Sequence, residues 1–265
     1  MNNIGILGCG WIGIPLSKLL IKKGYSIKGT ATSIEKTQSL LKLGIKSYCY
    51  YLNNKNSLNS NFFKSIDVLV ITIPFVKKNK KLNNLEQLIN KLVKIIENES
   101  IQHVIYLSSI SVYDSLNGVI DESIKCKPKS YSGIQTLIIE KLILKGNFIS
   151  TIIRLGGLIG GNRHPIHFLS GNFYYNGEEL INLIHQDDVL AIILKIIENK
   201  NNEDFIFNAV APFHPSKKDY YSMISSKMKI APPRYIKTKN IKKIINSKKV
   251  QEKYNFTFKR IDLLP

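Results

Sequence analysis

A glycine-rich turn between a short apolar run and an amphipathic segment constrains the fold of this chain more than any other feature. The turn reads Gly8-Cys9-Gly10-Trp11-Ile12-Gly13, a G-x-G-x-x-G pattern. It follows the apolar run 4–7, and apolar residues then recur at helical spacing as far as Gly24, which is expected to end the helix as a left-handed cap. Such glycines permit a tight turn, the approach of a pyrophosphate and close packing of helix on strand.

This arrangement predicts a dinucleotide-binding βαβ unit, and the alternative is a glycine turn with a purely structural role. The helix that follows the turn would offer free N–H groups and a partial positive charge to the phosphates. The residues expected at the cofactor are Gly8, Gly10, Trp11, Ile12 and Gly13.

Strands and helices alternate along the first 155 residues. Strands are predicted at 25–31, 46–52, 67–74, 103–107 and 148–155, and helices at 34–43, 85–96 and 132–145. The run 67–74 is continuously apolar and β-branched, as expected of a central strand covered on both faces, and Ile73 and Pro74 at its end are expected near the cofactor. The pattern predicts an α/β protein with a doubly wound parallel sheet, a Rossmann fold.

The pattern changes after residue 155. Glycine-rich and aromatic loops follow, with a helix predicted at 189–198 and a strand at 205–210. We expect a dinucleotide-binding domain over 1–155 and a small C-terminal substrate lobe over 156–265, of which about 181–210 returns to the main sheet. In this lobe Arg163 and His164 are expected to bind an anionic substrate group. His185 could polarise a carbonyl or transfer a proton, although packed histidines are also common.

The charge of the chain limits its partners. Its net charge is +19, but only four of the 38 basic residues are arginine, and the lysines are spread along the chain. Specific nucleic-acid recognition favours the guanidinium group, so no nucleic-acid partner is expected. Glycines, a proline and a lysine interrupt the apolar N-terminal segment, which argues against a membrane span. Three cysteines without metal-ligand spacing fit a cytoplasmic location and no metal site. The expected partner is a small-molecule substrate, and a homodimer is compatible with these features.

The end of the second predicted strand bears on the choice of cofactor. NAD-binding chains place an acid there for the ribose 2′-OH, whereas this chain has Thr32 and Ser33, with Lys36 three residues later. Hydroxyls and a cation suit the 2′-phosphate of NADP, so NADP is the expected cofactor. NAD is the alternative, in which Ser33 is only a helix N-cap.

A second motif supports a family resemblance. The strand predicted at 103–107 ends in Leu107-Ser108-Ser109-Ile110-Ser111-Val112-Tyr113. With the glycine turn, Arg154 and the run His185-Gln186-Asp187-Asp188, it resembles the extended short-chain dehydrogenase/reductases, the NAD-dependent epimerase/dehydratase superfamily. The stretches GCGWIGIPL, RLGGLIGGNRHP and FNAVAPFHPSKKDYY are most similar to its atypical YeeZ-like subgroup.

The resemblance implies a catalytic Ser, a Tyr that exchanges a proton, and a Lys four residues after the Tyr. Ser109 matches the Ser. When Glu140 is matched to the family's Glu, Ser132 takes the Tyr position and Thr136 the Lys position. An alternative register uses Tyr131 with Gln135. An uncharged Gln cannot lower the pKa of a phenol towards neutrality, so the standard proton relay is incomplete in both registers.

These features together predict an NAD(P)-binding, oxidoreductase-like protein that acts on a small carbonyl, alcohol or sugar-like compound. Ser109 would orient the reacting oxygen, and Tyr131 or His185 would act as a non-standard proton donor. The alternative is a catalytically silent dinucleotide-binding sensor or regulatory protein.

Overall fold

The computed structural model describes residues 2–50, 61–74, 82–113, 117–199, 203–236 and 242–264. The strands are β1 (Asn3–Leu7), β2 (Ser26–Ala31), β3 (Lys46–Cys49), β4 (Val68–Ile71), β5 (His103–Ser109), β6 (Gly118–Ile120), β7 (Ile149–Leu155), β8 (Gly157–Ile159), β9 (Phe173–Tyr175), β10 (Leu183–His185), β11 (Phe205–Ala209), β12 (Arg234–Ile236) and β13 (Lys243–Ile245). The helices are α1 (Gly13–Lys22), α2 (Ile34–Leu41), α3 (Leu82–Asn98), α4 (Tyr131–Ile143), α5 (Ile166–Leu169), α6 (Gln186–Asn199), α7 (Lys217–Met228) and α8 (Lys248–Tyr254).

Seven strands form one parallel sheet in the order β11-β7-β5-β4-β1-β2-β3. The chain starts in the middle of the sheet, adds β2 and β3 on one side and then crosses to β4 and β5 on the other, and this reversal confirms the doubly wound Rossmann fold. The predicted strand at 205–210 is the edge strand β11. The predicted strand at 46–52 ends earlier, at Cys49, and its last two residues lie outside the described ranges.

Helix α1 ends at a glycine in the left-handed conformation, as predicted. Gly24 has φ +88°. Its N–H donates to the carbonyl of Ile21 at 2.9 Å, and the N–H of Tyr25 donates to the carbonyl of Leu20 at 3.1 Å. This pair of bonds is a Schellman motif, which reverses the chain into β2.

The core of the sheet is built from continuously apolar strands. All four residues of β4 are buried, as expected for a central strand covered on both faces. One stripe of the 17-residue helix α3 packs against this layer, and its other face is polar. The buried residues of the stripe are Leu85, Ile89, Leu92, Val93 and Ile96. No helix within the described ranges is both long enough and apolar enough to span a membrane.

The chain forms two compact units. The first unit comprises 1–112, 128–153 and 193–206, and the second comprises 113–127, 154–192 and 207–265. Within the second unit, three short parallel ribbons pair β8 with β10, β9 with β12 and β6 with β13. Of the residues 181–210, β11 joins the main sheet, whereas β10 pairs with β8.

A buried histidine in the first unit makes stability depend on pH. His103 opens β5, and its Nε2 lies 2.8 Å from the hydroxyl oxygen of Thr151. Burial lowers the pKa of His103 to about 4. An imidazole in the unfolded chain has a pKa of about 6.5. Between these two values the unfolded chain binds a proton that the folded chain does not, so the free energy of unfolding falls as pH decreases from about 6.5 to 4.

We therefore predict that His103→Gln, which keeps a polar group near Thr151, flattens the pH dependence of stability. The slope should decrease by up to about 1.4 kcal/mol per pH unit within this window. Urea unfolding between pH 4.5 and 7.5 measures the free energy of unfolding and its slope with pH. His167→Gln, at an exposed position, is the matched control and should keep the original slope. Equal slopes for the original chain and His103→Gln would contradict the prediction.

Candidate functional site

The glycine turn is held by the two strands that flank β1. Gly8 has φ +110°, and its N–H donates to the hydroxyl of Thr30 at 2.9 Å. The hydroxyl of Thr72 donates to the carbonyl of Gly8 at 2.5 Å. A Cβ on Gly8 would lie 2.4 Å from Cγ2 of Ile73. Glycine is required at this position both for its conformation and for the space beside β4.

Gly13 brings helix α1 close to strand β1. A Cβ on Gly13 would lie 2.3 Å from the carbonyl oxygen of Gly8, so any side chain would push the helix away from the strand. No side chain caps the helix at Ile12, and its first turn carries no acidic residue. The N-terminal end of α1 therefore keeps the partial positive charge that attracts phosphate.

Gly10 differs from the other two glycines, because protein packing does not require it. No atom of the described residues lies within 4 Å of the position that a Cβ would take, and φ of Gly10 is outside the left-handed region. The backbone at Gly10 is therefore open to a group that approaches from outside the chain. The residues of the turn fit the pyrophosphate of a dinucleotide.

Cys9, between the first two glycines of the turn, packs against strand β2. Its thiol is buried, and a Cβ on Gly29 would lie 2.5 Å from the Sγ of Cys9. Burial raises the pKa of Cys9 to about 11. The thiol therefore stays protonated and acts as a small apolar group between α1 and β2.

The end of β2 carries hydroxyls and two opposite charges. Ser33 is the N-cap of α2, and its hydroxyl accepts from the N–H of Lys36 at 3.3 Å. Thr32 and the side chain of Lys36 are exposed. Glu35 is also exposed, and its own backbone N–H and the hydroxyl of Ser33 lower the pKa of Glu35. A carboxylate therefore lies in the first turn of α2, although none lies in the strand.

Two further residues follow the end of β4. Ile73 is half-buried, and its Cγ2 lies beside Gly8. Pro74 is exposed and is the last residue of its described range. Both lie at the same edge of the parallel sheet as the glycine turn and Thr32.

Ser109 is the last residue of β5 and is half-buried. Its Oγ accepts from the N–H of Ser111 at 3.1 Å. Helix α4 begins beside this segment, since a Cβ on Gly133 would lie 2.2 Å from the carbonyl oxygen of Ser111. The contact places the start of α4 against the turn that follows Ser109.

A buried carboxylate anchors the other end of α4. Glu140 accepts a hydrogen bond from the hydroxyl of Ser108 at 2.5 Å, and both side chains are buried. Burial raises the pKa of Tyr106, and the negative charge of Glu140 raises it further. Because Glu140 lies under β5, it fixes which residues of the first turns of α4 lie beside Ser111.

The positions that the resemblance assigns to Tyr and Lys hold small hydroxyl residues. Ser132 is exposed, and Thr136 is buried and donates its hydroxyl to the carbonyl of Ser132 at 2.8 Å. Tyr131 is the first residue of α4 and is 41% exposed. Gln135, four residues after Tyr131, is buried.

His164 lies in the second unit and uses both ring nitrogens for internal bonds. Its Nε2 is 2.8 Å from the hydroxyl of Tyr220, and its Nδ1 accepts from the N–H of Ile166 at 3.2 Å. The hydroxyl of Tyr220 donates to the carbonyl of Leu263 at 2.7 Å, so it accepts from Nε2–H of His164. Burial lowers the pKa of His164 to about 4, which keeps the ring neutral.

His185 ends β10 and is only 4% exposed. Its Nδ1 accepts from the N–H of Asp187 at 3.1 Å. Burial lowers the pKa of His185, and the nearby charge of Arg260 lowers it further. Arg163 is exposed on the loop that follows β8.

Arg154, which contributes to the family resemblance, is part of a buried network in the second unit. Its guanidinium donates to the hydroxyl of Tyr113 at 2.9 Å, and this hydroxyl donates to the amide oxygen of Asn208 at 2.8 Å. The N–H of Asn208 donates to the carboxylate of Glu122 at 2.5 Å. These contacts tie the end of β7 to β11 and to the segments on either side of β6, and they give Arg154 a packing role.

The predicted residues fall into two groups. The first unit brings together the carboxyl ends of β1, β2, β4 and β5, and with them the glycine turn, Thr32, Ile73 and Ser109. Arg163, His164 and His185 lie in the second unit. Sequence reasoning did not assign roles to Thr30 and Thr72, whose only signal is a Thr at the end of each strand that flanks β1.

Comparison with known proteins agrees with this site. The sequence pattern of a protein family described as NAD(P)H-binding matches residues 8–200. The chain belongs to this NAD(P)H-binding family. It is 29% identical over 240 residues to Protein YeeZ of Escherichia coli (strain K12), covering 89% of this chain and 87% of YeeZ. The resemblance to the extended short-chain dehydrogenase/reductases and their YeeZ-like subgroup is thereby confirmed.

Solved structures share the fold of this NAD(P)H-binding chain. The UDP-glucuronic acid 4-epimerase from Bacillus cereus in complex with NAD has a TM-score of 0.82 at 19% identity, covering 97% of this chain and 94% of the epimerase. A short-chain dehydrogenase/reductase superfamily protein from Agrobacterium tumefaciens with bound NAD has a TM-score of 0.80 at 14% identity. The match covers 98% of this chain and 94% of the Agrobacterium protein. The family supports a nicotinamide dinucleotide as the cofactor.

The open position at Gly10 gives a direct test of the site. We predict that Gly10→Val abolishes binding of NADP and NAD in calorimetric titration, because the side chain would occupy the space in which the pyrophosphate approaches. Its thermal unfolding temperature should stay within a few degrees of the original, whereas Gly8→Val, the control, should lower it strongly. Unchanged affinity in Gly10→Val would mean that the dinucleotide lies elsewhere.

Proposed function

We propose that this chain is an NADP-dependent oxidoreductase of the extended short-chain type, acting on a small carbonyl, alcohol or sugar-like compound. The observation that carries the proposal is the glycine turn, whose Gly10 leaves open backbone beside the N-terminus of α1. The cofactor would supply or accept a hydride. Ser109 lies at the same edge of the sheet, within the same unit, as expected for a group that meets the substrate.

The preference for NADP rests on the end of β2. Thr32 and Ser33 offer hydroxyls, and Lys36 offers a positive charge one turn further on. A 2′-phosphate would gain from all three groups, whereas a ribose 2′-OH would gain little from the cation. Glu35 opposes this preference, because its carboxylate would repel a phosphate and could accept from a ribose hydroxyl.

Substitution of the two charged residues separates these effects. We predict that Lys36→Ala weakens NADP binding about tenfold at low salt and leaves NAD binding within twofold. A charge-assisted contact is worth about 1.5 to 3 kcal/mol, and less at an exposed site. Glu35→Gln is the matched control and should strengthen NADP binding. Calorimetric titrations with both cofactors measure the changes, and equal affinities for NADP and NAD in the original chain would refute the preference.

Ser109 is proposed to orient the reacting oxygen of the substrate. Its Oγ already accepts a hydrogen bond from the N–H of Ser111. The hydroxyl hydrogen therefore points away from that N–H and is available for donation to a carbonyl or alkoxide oxygen. The backbone contact also fixes the oxygen atom of Ser109 at the end of β5.

Tyr131 is the proposed proton donor. Its phenol group is partly exposed at the start of α4, in the same unit as Ser109. His185, the other candidate, is almost fully buried in the second unit, and its Nδ1 is occupied by the N–H of Asp187. Burial and the charge of Arg260 lower the pKa of His185, which makes it a poor source of a proton near neutral pH.

Two substitutions test these roles once a substrate screen with NADPH has found turnover. Ser109→Ala and Tyr131→Phe should each lower kcat/KM by about 10² to 10⁴, the usual loss when a positioned proton donor is removed. Tyr175→Phe, at an exposed position in the second unit, should leave it unchanged and controls for general effects of Tyr replacement. His185→Ala tests the other candidate proton donor. Turnover that survives both changes in the first unit would exclude this site.

A catalytically silent sensor is the second candidate function. Ser132 and Thr136 favour it, because neither residue can replace the phenol or the positive charge that the family's catalysis needs. The hydroxyl of Thr136 is also already bonded to the carbonyl of Ser132. Such a protein would bind the dinucleotide and respond to its redox state without turnover. Tight NADPH binding, together with no turnover over a broad screen of carbonyl compounds, would favour the sensor over the enzyme.

A further inference from the structure

We propose that Thr30 and Thr72 are positioning residues of the dinucleotide site, which raise its affinity for the pyrophosphate by fixing two successive peptide groups of the glycine turn. The inference deepens the proposed function and rests on it for the identity of the ligand. Neither threonine has to touch the ligand, because both act through the backbone of residues 7–9.

The first fixed peptide group joins Leu7 to Gly8. Its carbonyl accepts from the N–H of Thr72 at 3.1 Å, and its N–H donates to the hydroxyl oxygen of Thr30 at 2.9 Å. Thr30 lies in β2 and Thr72 directly follows β4, the two strands that flank β1. The peptide group is therefore held from both neighbouring strands.

The second fixed peptide group joins Gly8 to Cys9. Its carbonyl accepts from the Thr72 hydroxyl at 2.5 Å, and its N–H donates to the carbonyl of Thr30 at 2.7 Å. The Thr72 hydroxyl also lies 3.3 Å from the carbonyl oxygen of Leu7, but it has one hydrogen to donate and the shorter contact is to Gly8. Each threonine therefore holds the turn by both its main chain and its side chain.

The Thr72 hydroxyl controls the direction of the Gly8 carbonyl. This oxygen faces the start of α1, because a Cβ on Gly13 would lie 2.3 Å from it. It also accepts from the N–H of Gly10 at 2.8 Å. A carbonyl oxygen carries a partial negative charge, so an oxygen that rotated towards a bound phosphate would repel it. The two donors offset this charge and hold the oxygen against the helix.

The glycines of the turn make these bonds necessary. Gly8 has φ +110°, and open space surrounds the position that a Cβ on Gly10 would take. Neither residue has a side chain that packing could hold, and glycine loses more conformational freedom on folding than any other residue. A turn that is ordered before the ligand arrives does not lose that freedom on binding. The threonine bonds therefore favour a tighter complex.

Packing alone does not account for a hydroxyl at these two positions. Thr30 is 2% exposed, and Thr72 is half-buried directly after the four buried apolar residues of β4. Valine has the same branched shape, and strands favour both residue types. A hydroxyl taken out of water is costly unless it is bonded. The bonds to the turn explain the hydroxyls, and valine is the substitution that removes those bonds with the least change of shape.

Hydrogen exchange of the backbone amides tests the bonds without cofactor. Thr30→Val removes the acceptor of the Gly8 N–H, and Thr72→Val leaves the peptide group between Gly8 and Cys9 held on one side only. We expect the exchange of these two N–H groups to become about tenfold faster in each variant, as expected for loss of one hydrogen bond. Thr72→Ser keeps a hydroxyl and should restore the original rates.

Calorimetric titration of the same variants measures the consequence for binding. The probes are NADP and NAD, together with adenosine 2′-phosphate and adenosine, which lack the pyrophosphate. Thr72→Val should weaken binding of the two dinucleotides about tenfold, and Thr72→Ser should bring it back to about the original value. The affinities for the two fragments should not change, because the turn is proposed to hold only the pyrophosphate.

Thr151→Val is the matched control. The Thr151 hydroxyl is also buried in the first unit, but it pairs with Nε2 of His103 at the amino end of β5, the edge of the sheet opposite the glycine turn. This variant should lower the thermal unfolding temperature and leave the dinucleotide affinities unchanged. It therefore separates a loss of stability from a loss of positioning.

Three results would overturn the proposal. They are original exchange rates in Thr72→Val, faster exchange with unchanged dinucleotide affinity, and equal losses for the probes with and without the pyrophosphate. Failure of the proposed function gives a different result, which is unchanged affinity in Gly10→Val. Loss of binding in Gly10→Val with no loss in Thr72→Val keeps the dinucleotide site and removes the threonines from it.

Discussion

The close approach of helix α1 to strand β1 governs the first unit. A Cβ on Gly13 would lie 2.3 Å from the carbonyl oxygen of Gly8, so the helix can start where it does only because a side chain is missing. The hydroxyls of Thr30 and Thr72 then fix the backbone of Gly8 from β2 and β4. The N-terminus of α1 therefore lies at the edge of the parallel sheet without a capping side chain. Its free N–H groups and partial positive charge are suited to binding phosphate.

A second constraint acts through a buried carboxylate. Glu140 lies under β5, where it accepts from Ser108, and a buried charge of this kind is tolerated only with such a partner. Because Glu140 is fixed, the start of α4 is fixed as well, and Gly133 meets Ser111. In the register that matches Glu140 to the family's Glu, this places small hydroxyl residues, Ser132 and Thr136, at the positions that the resemblance implies for Tyr and Lys.

Two buried histidines of the second unit, His164 and His185, show how neighbouring groups determine the role of a side chain. His164 and His185 are both buried, and burial lowers the pKa of each ring. His164 lies beside Tyr220 and Ile166, which use both of its nitrogens and make it part of the core. His185 packs against Gly160, and its Nδ1 accepts from the N–H of Asp187. The same residue type is therefore held by a phenol and a backbone N–H at one position, and by a backbone N–H and a tightly packed glycine at the other.

The sequence by itself determined the doubly wound sheet, the glycine turn and the left-handed end at Gly24, because helix and strand periods, glycine conformations and caps depend on neighbouring residues. It also placed Ser109 at a strand end. Only the tertiary structure decided which hydroxyls hold Gly8, how α4 lies on β5, that β10 pairs with β8, and which groups bond the buried histidines. Those outcomes depend on contacts between residues distant in sequence, such as Gly8 with Thr72 and His164 with Tyr220, which are 64 and 56 positions apart. The local sequence pattern does not predict such contacts, because they form only when folding brings the distant segments together.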